Sequence, residues 1–417
     1  MPEDDLIAAM MARLDQATMA LLMSSASVVE QHAILGDLAY VHTMLNFLGK
    51  AKPDRIAAVM EAMEFRARVQ VPKTGGTTVG FTRAHLPLNG VSDVERRIFL
   101  TLAATMAGAP MAGVLTDLPY RELVAVLQGT TDRYRERLRT VPSATLYGGL
   151  VRHAAELDRR ARDAREPLRS ALLAVLSETA GLAANVAYQD FGRPGDASRH
   201  FGQATGAARQ ARDRDRLAWN YQLIALHLQY AGRPADALDV LERAAHECVR
   251  EPLSLMAAVL AKEQAVNLAL LGQEHRALIE LDEAYWHRGH ADPAGSSQIW
   301  TDEVARLETT AGYVQTLLGR PEATETLSAG LTRAQTHGND RWRATALWMS
   351  ALDAARQGEP ERAAQLASES LALATLLNSV ERKRGVLRPW ARLRNYQQSV
   401  PAVRELGEQL RAAGLAA

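Results

Sequence analysis

One cysteine, Cys248, is all the thiol chemistry that the 417 residues contain, which excludes an intramolecular disulfide framework and suits the reducing cytoplasm. Aromatic residues are scarce at 5%, while Ala and Leu are abundant, a balance that favours helix over strand. Lysine is nearly missing: of 48 basic residues only Lys50, Lys52, Lys73, Lys262 and Lys383 are lysine, as expected of a GC-rich bacterial genome. Formal net charge is zero, so no global field draws the chain to nucleic acid or an anionic membrane. No apolar run reads as long enough to span a bilayer, and the opening MPEDD lacks the positive start of a secretory signal. The twin-arginine-like segment VERRIFLTLAATMAGAP, 94–110, lies inside the chain and reads as a buried helix.

Catalytic signatures are missing too. There is no G-x-S-x-G elbow, no H-E-x-x-H, no Cys-x-x-Cys pair and no dinucleotide fingerprint, and KTGGTT lacks the spacing of a phosphate loop. His287 and His290, beside a Gly in YWHRGHAD, read as a surface loop rather than a metal site. His246, Glu247 and Cys248 are adjacent on a helix and point apart, so Cys248 reads as small core filling. No catalytic residue, metal or cofactor is therefore assigned.

What the chain does have is a corner that recurs. AGRPADALDVLERA, 231–244, places Gly232 where a helix ends, Pro234 where the next begins, and Ala237 about one turn in, where a small side chain lets two helices approach. Related corners surround Gly192, Gly272, Gly319 and Gly358, so the five glycines stand 40, 40, 47 and 39 residues apart. Pro follows Gly by two at Pro194, Pro234, Pro321 and Pro360. Ala follows by five at Ala197, Ala237, Ala277 and Ala363, and one residue early at Ala323. A small residue stands seven before Gly at Ala225, Ala265, Gly312 and Ala351, with Asn185 the exception. Another stands twelve after at Ala204, Ala244 and Ala284, but not at Leu331 or Ser370.

Small residue, Gly, Ala and small residue at these offsets resemble the tetratricopeptide repeat, with a period longer than its usual ~34. The ERR-x-FL run from Glu95, the helical pairs and the closing SVPAVRELGEQLRAAG, 399–414, together look like actinobacterial regulators that carry an XRE-type helix-turn-helix before such repeats. The resemblance implies an all-α fold: a right-handed α-solenoid of tetratricopeptide-like helix pairs with an N-terminal helical subdomain. It also implies a regulatory sensor whose concave groove takes a peptide, small molecule or protein. A homodimer is compatible with it, and a membrane partner is not expected.

Three regions follow: an N-terminal helical subdomain over 1–70, a linker or arm over 71–94, and the solenoid with capping helices over 95–417. The first reads as helices at 3–23, 26–49 and 53–70. Gln16, Ala17 and Ala20 fit an XRE-type helix-turn-helix. The would-be recognition helix, Ala26 to Ile34, carries Glu30 and no Arg or Lys, so specific DNA binding is not expected. The 71–94 stretch is rich in Gly, Thr and Pro and shows no helical period.

If the glycines set the register, positions three, six, ten and thirteen before each one face the concave wall. They include Gln189, Trp219, Gln222, Gln229, Lys262, Arg306, Thr309, Tyr313, Thr316, Thr345 and Trp348, with Tyr230 and Glu263 alongside. Aromatic faces and amide groups there suit a ligand site, the two tryptophans acting as exposed anchors. His227 and Glu263 are the first candidates for acid or base should the groove be catalytic, and a protein-recruiting scaffold is the other alternative. The basic run ERKRGVLRPWARLR, 381–394, reads as the solvated face of a capping helix, with nucleic-acid contact the lesser reading.

Overall fold

The computed structural model describes residues 120–249, 254–291 and 298–415. Internal contacts divide the chain into Met1–Leu118 and Pro119–Ala417, and every described residue belongs to the second unit. The N-terminal helices, the 71–94 segment, the 94–110 helix and the boundary at 95 therefore lie outside the described residues.

Among the described residues the regular structure is entirely helical, without a strand. Helices α1 (Tyr120–Arg137) and α2 (Tyr147–Asp163) pack on α3 (Leu168–Gln189). Consecutive pairs then follow: α3 with α4 (Pro194–Ala211), α5 (Arg214–Tyr230) with α6 (Pro234–Cys248), and α7 (Leu255–Leu270) with α8 (Glu274–His290). After the short α9 (Gln298–Val304) come α10 (Leu307–Leu318) with α11 (Ala323–Thr336), and α12 (Asp340–Arg356) with α13 (Pro360–Leu376). Helices α14 (Val380–Gly385), α15 (Leu387–Leu393) and α16 (Pro401–Ala412) close the unit against α12 and α13.

The corners explain the pairing. All five marker glycines take a left-handed φ between 62° and 79°, a conformation that costs any other L-residue a clash at Cβ. Pro194, Pro234 and Pro360 open α4, α6 and α13, where the missing N–H has no helical partner to lose. The first helices of three later pairs start differently: the side chains of Asp213, Ser254 and Asn339 accept from the N–H three residues on. The alanines at the recurring offsets are buried throughout, so both helices of a pair touch through them. At the fourth corner the second helix begins only at Ala323, beyond Pro321. Its second contact moves up by one residue, from Leu331 to Gly330, where an added Cβ would stand 2.7 Å from the backbone nitrogen of Thr309.

Helix α3 corrects the bilayer expectation. Its 22 residues are long and apolar enough to cross a membrane, but 78% of the apolar window is buried inside the protein as core. The apolar interior forms two main clusters. One is centred on α3 to α6 with the start of α7. The other runs from α7 through α10 and α12 to α16.

Late helices also meet early ones. The Val380 N–H donates to the carbonyl of Asp190 at 3.3 Å, and Ser379 Oγ donates to the carbonyl of Gln189 at 3.2 Å. The Arg341 N–H, on α12, reaches the carbonyl of Arg139 at 3.4 Å. These bonds put α1, α3, α12 and α14 side by side, so the inner wall of the helix pairs is faced by protein.

Candidate functional site

That closure decides the fate of the expected groove residues. Gln189, Trp219, Gln222, Gln229, Lys262, Glu263, Thr309, Tyr313, Thr316 and Trp348 are buried, while Tyr230, Arg306 and Thr345 are half-buried. The tryptophans are not the exposed anchors expected of an open groove: Trp219 is 5% exposed and Trp348 2%, each within an apolar cluster. Glycines make the room. A Cβ on Gly181 would sit 2.7 Å from the Trp219 ring, and one on Gly385 2.8 Å from Trp348 Nε1.

Four of the expected residues, Gln189, Trp219, Gln222 and Arg306, share a cavity of about 120 Å³ walled by α1, α3, α5, α9, α12, α14 and residues between them. Tyr230 and Trp348 line a second cavity of about 500 Å³. The others serve packing or hydrogen bonding. Thr309 Oγ1 accepts from Trp342 Nε1 at 2.8 Å, Thr316 donates to Asp353 at 3.3 Å, and Thr345 donates to the carbonyl of Arg341 at 3.1 Å. Lys262 Nζ lies 3.0 Å from Glu263 and 3.9 Å from Glu303, an ion cluster withdrawn from solvent.

Five arginines and three acids line the smaller cavity, so positive charge predominates on its wall. Its key group is Asp190, just past α3. Asp190 accepts from Arg341 Nη2 at 3.2 Å, from Arg382 Nη1 at 3.4 Å, and from Ser143 Oγ. Arg341 also donates to Ser143 Oγ at 2.6 Å and to the carbonyls of Leu138 and Val141. Arg382 Nε donates to the carbonyl of Arg341 at 3.0 Å. Two guanidinium groups thus face one carboxylate, and burial pulls Arg382 down to about 10. Gln222 stands in the opposite wall, 2% exposed, with Nε2 donating to Glu263 at 3.3 Å and Oε1 without a partner among the described residues.

Asp190, Arg341, Arg382 and Glu303 escaped the glycine register. Asp190 lies outside the inward offsets, and Arg341 and Arg382 stand in the opening turns of their helices. The basic run is accordingly not a uniformly solvated face. Arg382 turns inward, and Arg388 donates to the Tyr313 hydroxyl with its guanidinium 5.2 Å from the Trp348 ring centroid.

The acid–base candidates are fully engaged. His227 stacks on Tyr188 with centroids 4.0 Å apart and lies 3.3 Å from Asn185 Oδ1, and burial lowers its pKa to about 3. Glu263 is tied to Lys262 and Gln222. His287 and His290 lie in the last turn of α8 rather than in a loop, His287 near Glu283 and His290 bonded to the carbonyl of Trp286. Among the described residues no three His, Cys, Asp or Glu side chains converge as metal ligands. Cys248 is buried, and desolvation raises its thiol to about 11, which makes it a poor nucleophile.

Fold and site together define a class: among the described residues, an all-α assembly of consecutive helix pairs with two cavities lined by charged, amide and aromatic side chains. No family model matches the chain, and no curated protein matches it.

Proposed function

We propose that this unit is the sensor part of a cytoplasmic regulatory protein, and that it binds a small polar molecule in the cavity between Gln222 and the Asp190 cluster. In this reading the helix pairs form a right-handed, tetratricopeptide-like solenoid. The observation that carries the proposal is the Gln222 carbonyl oxygen, buried at the cavity wall and unpartnered among the described residues. A buried acceptor left unpaired costs about 1–3 kcal/mol, which a ligand donor recovers. The volume, about 120 Å³, compares with the ~150 Å³ cavity that holds benzene. A small metabolite fits that space. An extended peptide does not, because the bonds between α3, α12 and α14 cross the path it would take.

Ion pairs on the wall favour binding over turnover. Asp302 is held by Arg139 at 3.0 Å, and Glu303 lies 3.9 Å from Lys262 and 3.5 Å from Arg306. Native mass spectrometry of the full chain purified from its own host tests the proposal. The wild type is expected to retain a small-molecule mass that Gln222→Leu loses while keeping its helical spectrum. Retention of the same mass by the variant, or a wild type that retains none and gains no thermal stability from host metabolite fractions, would overturn it.

A further inference from the structure

The larger cavity, about 500 Å³, lies where the corner after α3 and the end of α5 meet α14 and α15. Its volume is within the range of pockets that enclose whole cofactors or metabolites. The walls are aromatic and the free polar groups are donors. Tyr188, Tyr230 and Trp348 supply ring surface, and the Tyr188 hydroxyl is already spent on the carbonyl of His227 at 3.0 Å. Trp348 is 2% exposed, yet its indole N–H makes no hydrogen bond among the described residues, and neither does the Tyr230 hydroxyl. Among the described residues Glu381 is the one acid on this wall, and it is bonded to Arg384. Arg388 has no carboxylate partner among the described residues. Its bond to the Tyr313 hydroxyl and its place over Trp348 leave the positive charge uncompensated.

Aromatic surface beside a cation and two idle donors, with the only acid already paired, selects a ligand by chemistry. The ring surface that remains beside His227 and Arg388 favours packing against a planar aromatic ring, and the donors favour a negative group at its edge. We infer that this cavity is a second binding site, for a planar aromatic anion bearing a carboxylate or phosphate, held through Arg388, Trp348 Nε1 and Tyr230. The site is independent of whatever occupies the cavity at Gln222.

Calorimetric titration of the full chain separates ring from charge and carboxylate from phosphate. The probes are 2-naphthoate with its neutral amide, and adenosine monophosphate with adenosine. At least one acid is expected to bind at one site per chain, about tenfold or more tighter than its neutral counterpart, as a charge-assisted hydrogen bond provides. Preference for naphthoate identifies a carboxylate ligand, and preference for the nucleotide identifies a phosphate ligand. Arg388→Gln should abolish discrimination between acid and neutral probe, and Arg388→Lys should restore part of it, with both variants checked for wild-type melting. Equal binding of acid and neutral forms by the wild type, discrimination that survives in Arg388→Gln, or no binding of either acid would overturn the assignment.

Discussion

Protonating His227, stacked on Tyr188, or His153, 3.2 Å from both Thr131 and the carbonyl of Leu127, means placing a charge where water is excluded. Burial holds the two at about 3 and about 4, below the ordinary 6.5. The unfolded chain therefore takes up these protons first as pH falls. Their stabilisation is complete above pH 6.5 and is lost as pH drops through that value toward 4 and 3. By pH 5 the loss is about 2 kcal/mol for each histidine. Urea unfolding at pH 7 and pH 5 should show His227→Gln losing less stability between the two than the wild type, by about that amount. A second expectation concerns the tryptophans, now core residues: Trp219→Ala should cost about 3–5 kcal/mol in denaturant unfolding. The glycine register says which way such a side chain leaves its helix. It carries no information about what stands opposite, so an exposed anchor and a buried one look alike in sequence.

Helix pairs were legible because everything that makes one is local: a left-handed glycine, a proline to open the next helix, and alanines one and three turns on. The fourth corner shows where this legibility ends. Moving the contact from Leu331 to Gly330 depends on where the second helix starts after Pro321, which one residue type at one offset does not specify. The same limit placed His287 and His290 in a loop, since Gly289 in the last turn of α8 looks like an ending before the helix ends. Two substitutions separate corner from contact. Gly232→Ala meets open space but keeps a φ of 75°, and should cost about 1 kcal/mol. Gly312→Ala puts a Cβ 2.6 Å from the Leu327 side chain and 2.9 Å from its backbone nitrogen, and should cost up to about 3 kcal/mol. Thermal melts that rank them the other way would show that the α10–α11 contact yields more easily than its spacing implies.

Across the whole unit, the bonds at Asp190 supplement the neighbour-to-neighbour stacking of a linear repeat. Removing Arg341 leaves Arg382 as the remaining guanidinium on a buried carboxylate and strips the carbonyls of Leu138 and Val141 of a donor. Arg341→Ala should therefore cost about 3 kcal/mol. Hydrogen exchange should quicken at Val380, whose N–H bonds to Asp190, while the buried centre of α7 keeps its protection. An equal rise in exchange across all helices would mean that Arg341 supports general stability rather than this junction. No sequence pattern announced the junction, because its partners belong to different repeats and share no period.

The same junction sets a timetable for synthesis. Arg341 follows Leu138, one of its acceptors, by 203 residues, so a ribosome adding about 5–20 residues per second makes the later partner roughly 10–40 s after the earlier one. For the last three-quarters of that interval Ser143 and Asp190 have both been made while Arg341 and Arg382 remain untranslated. A small solute present at that moment meets the wall of the smaller cavity from the side, before α12 and α14 exist to cover it. Until α12 and α14 are made, the Asp190 carboxylate has neither guanidinium beside it, so this part of the wall is completed only in the last fifth of synthesis.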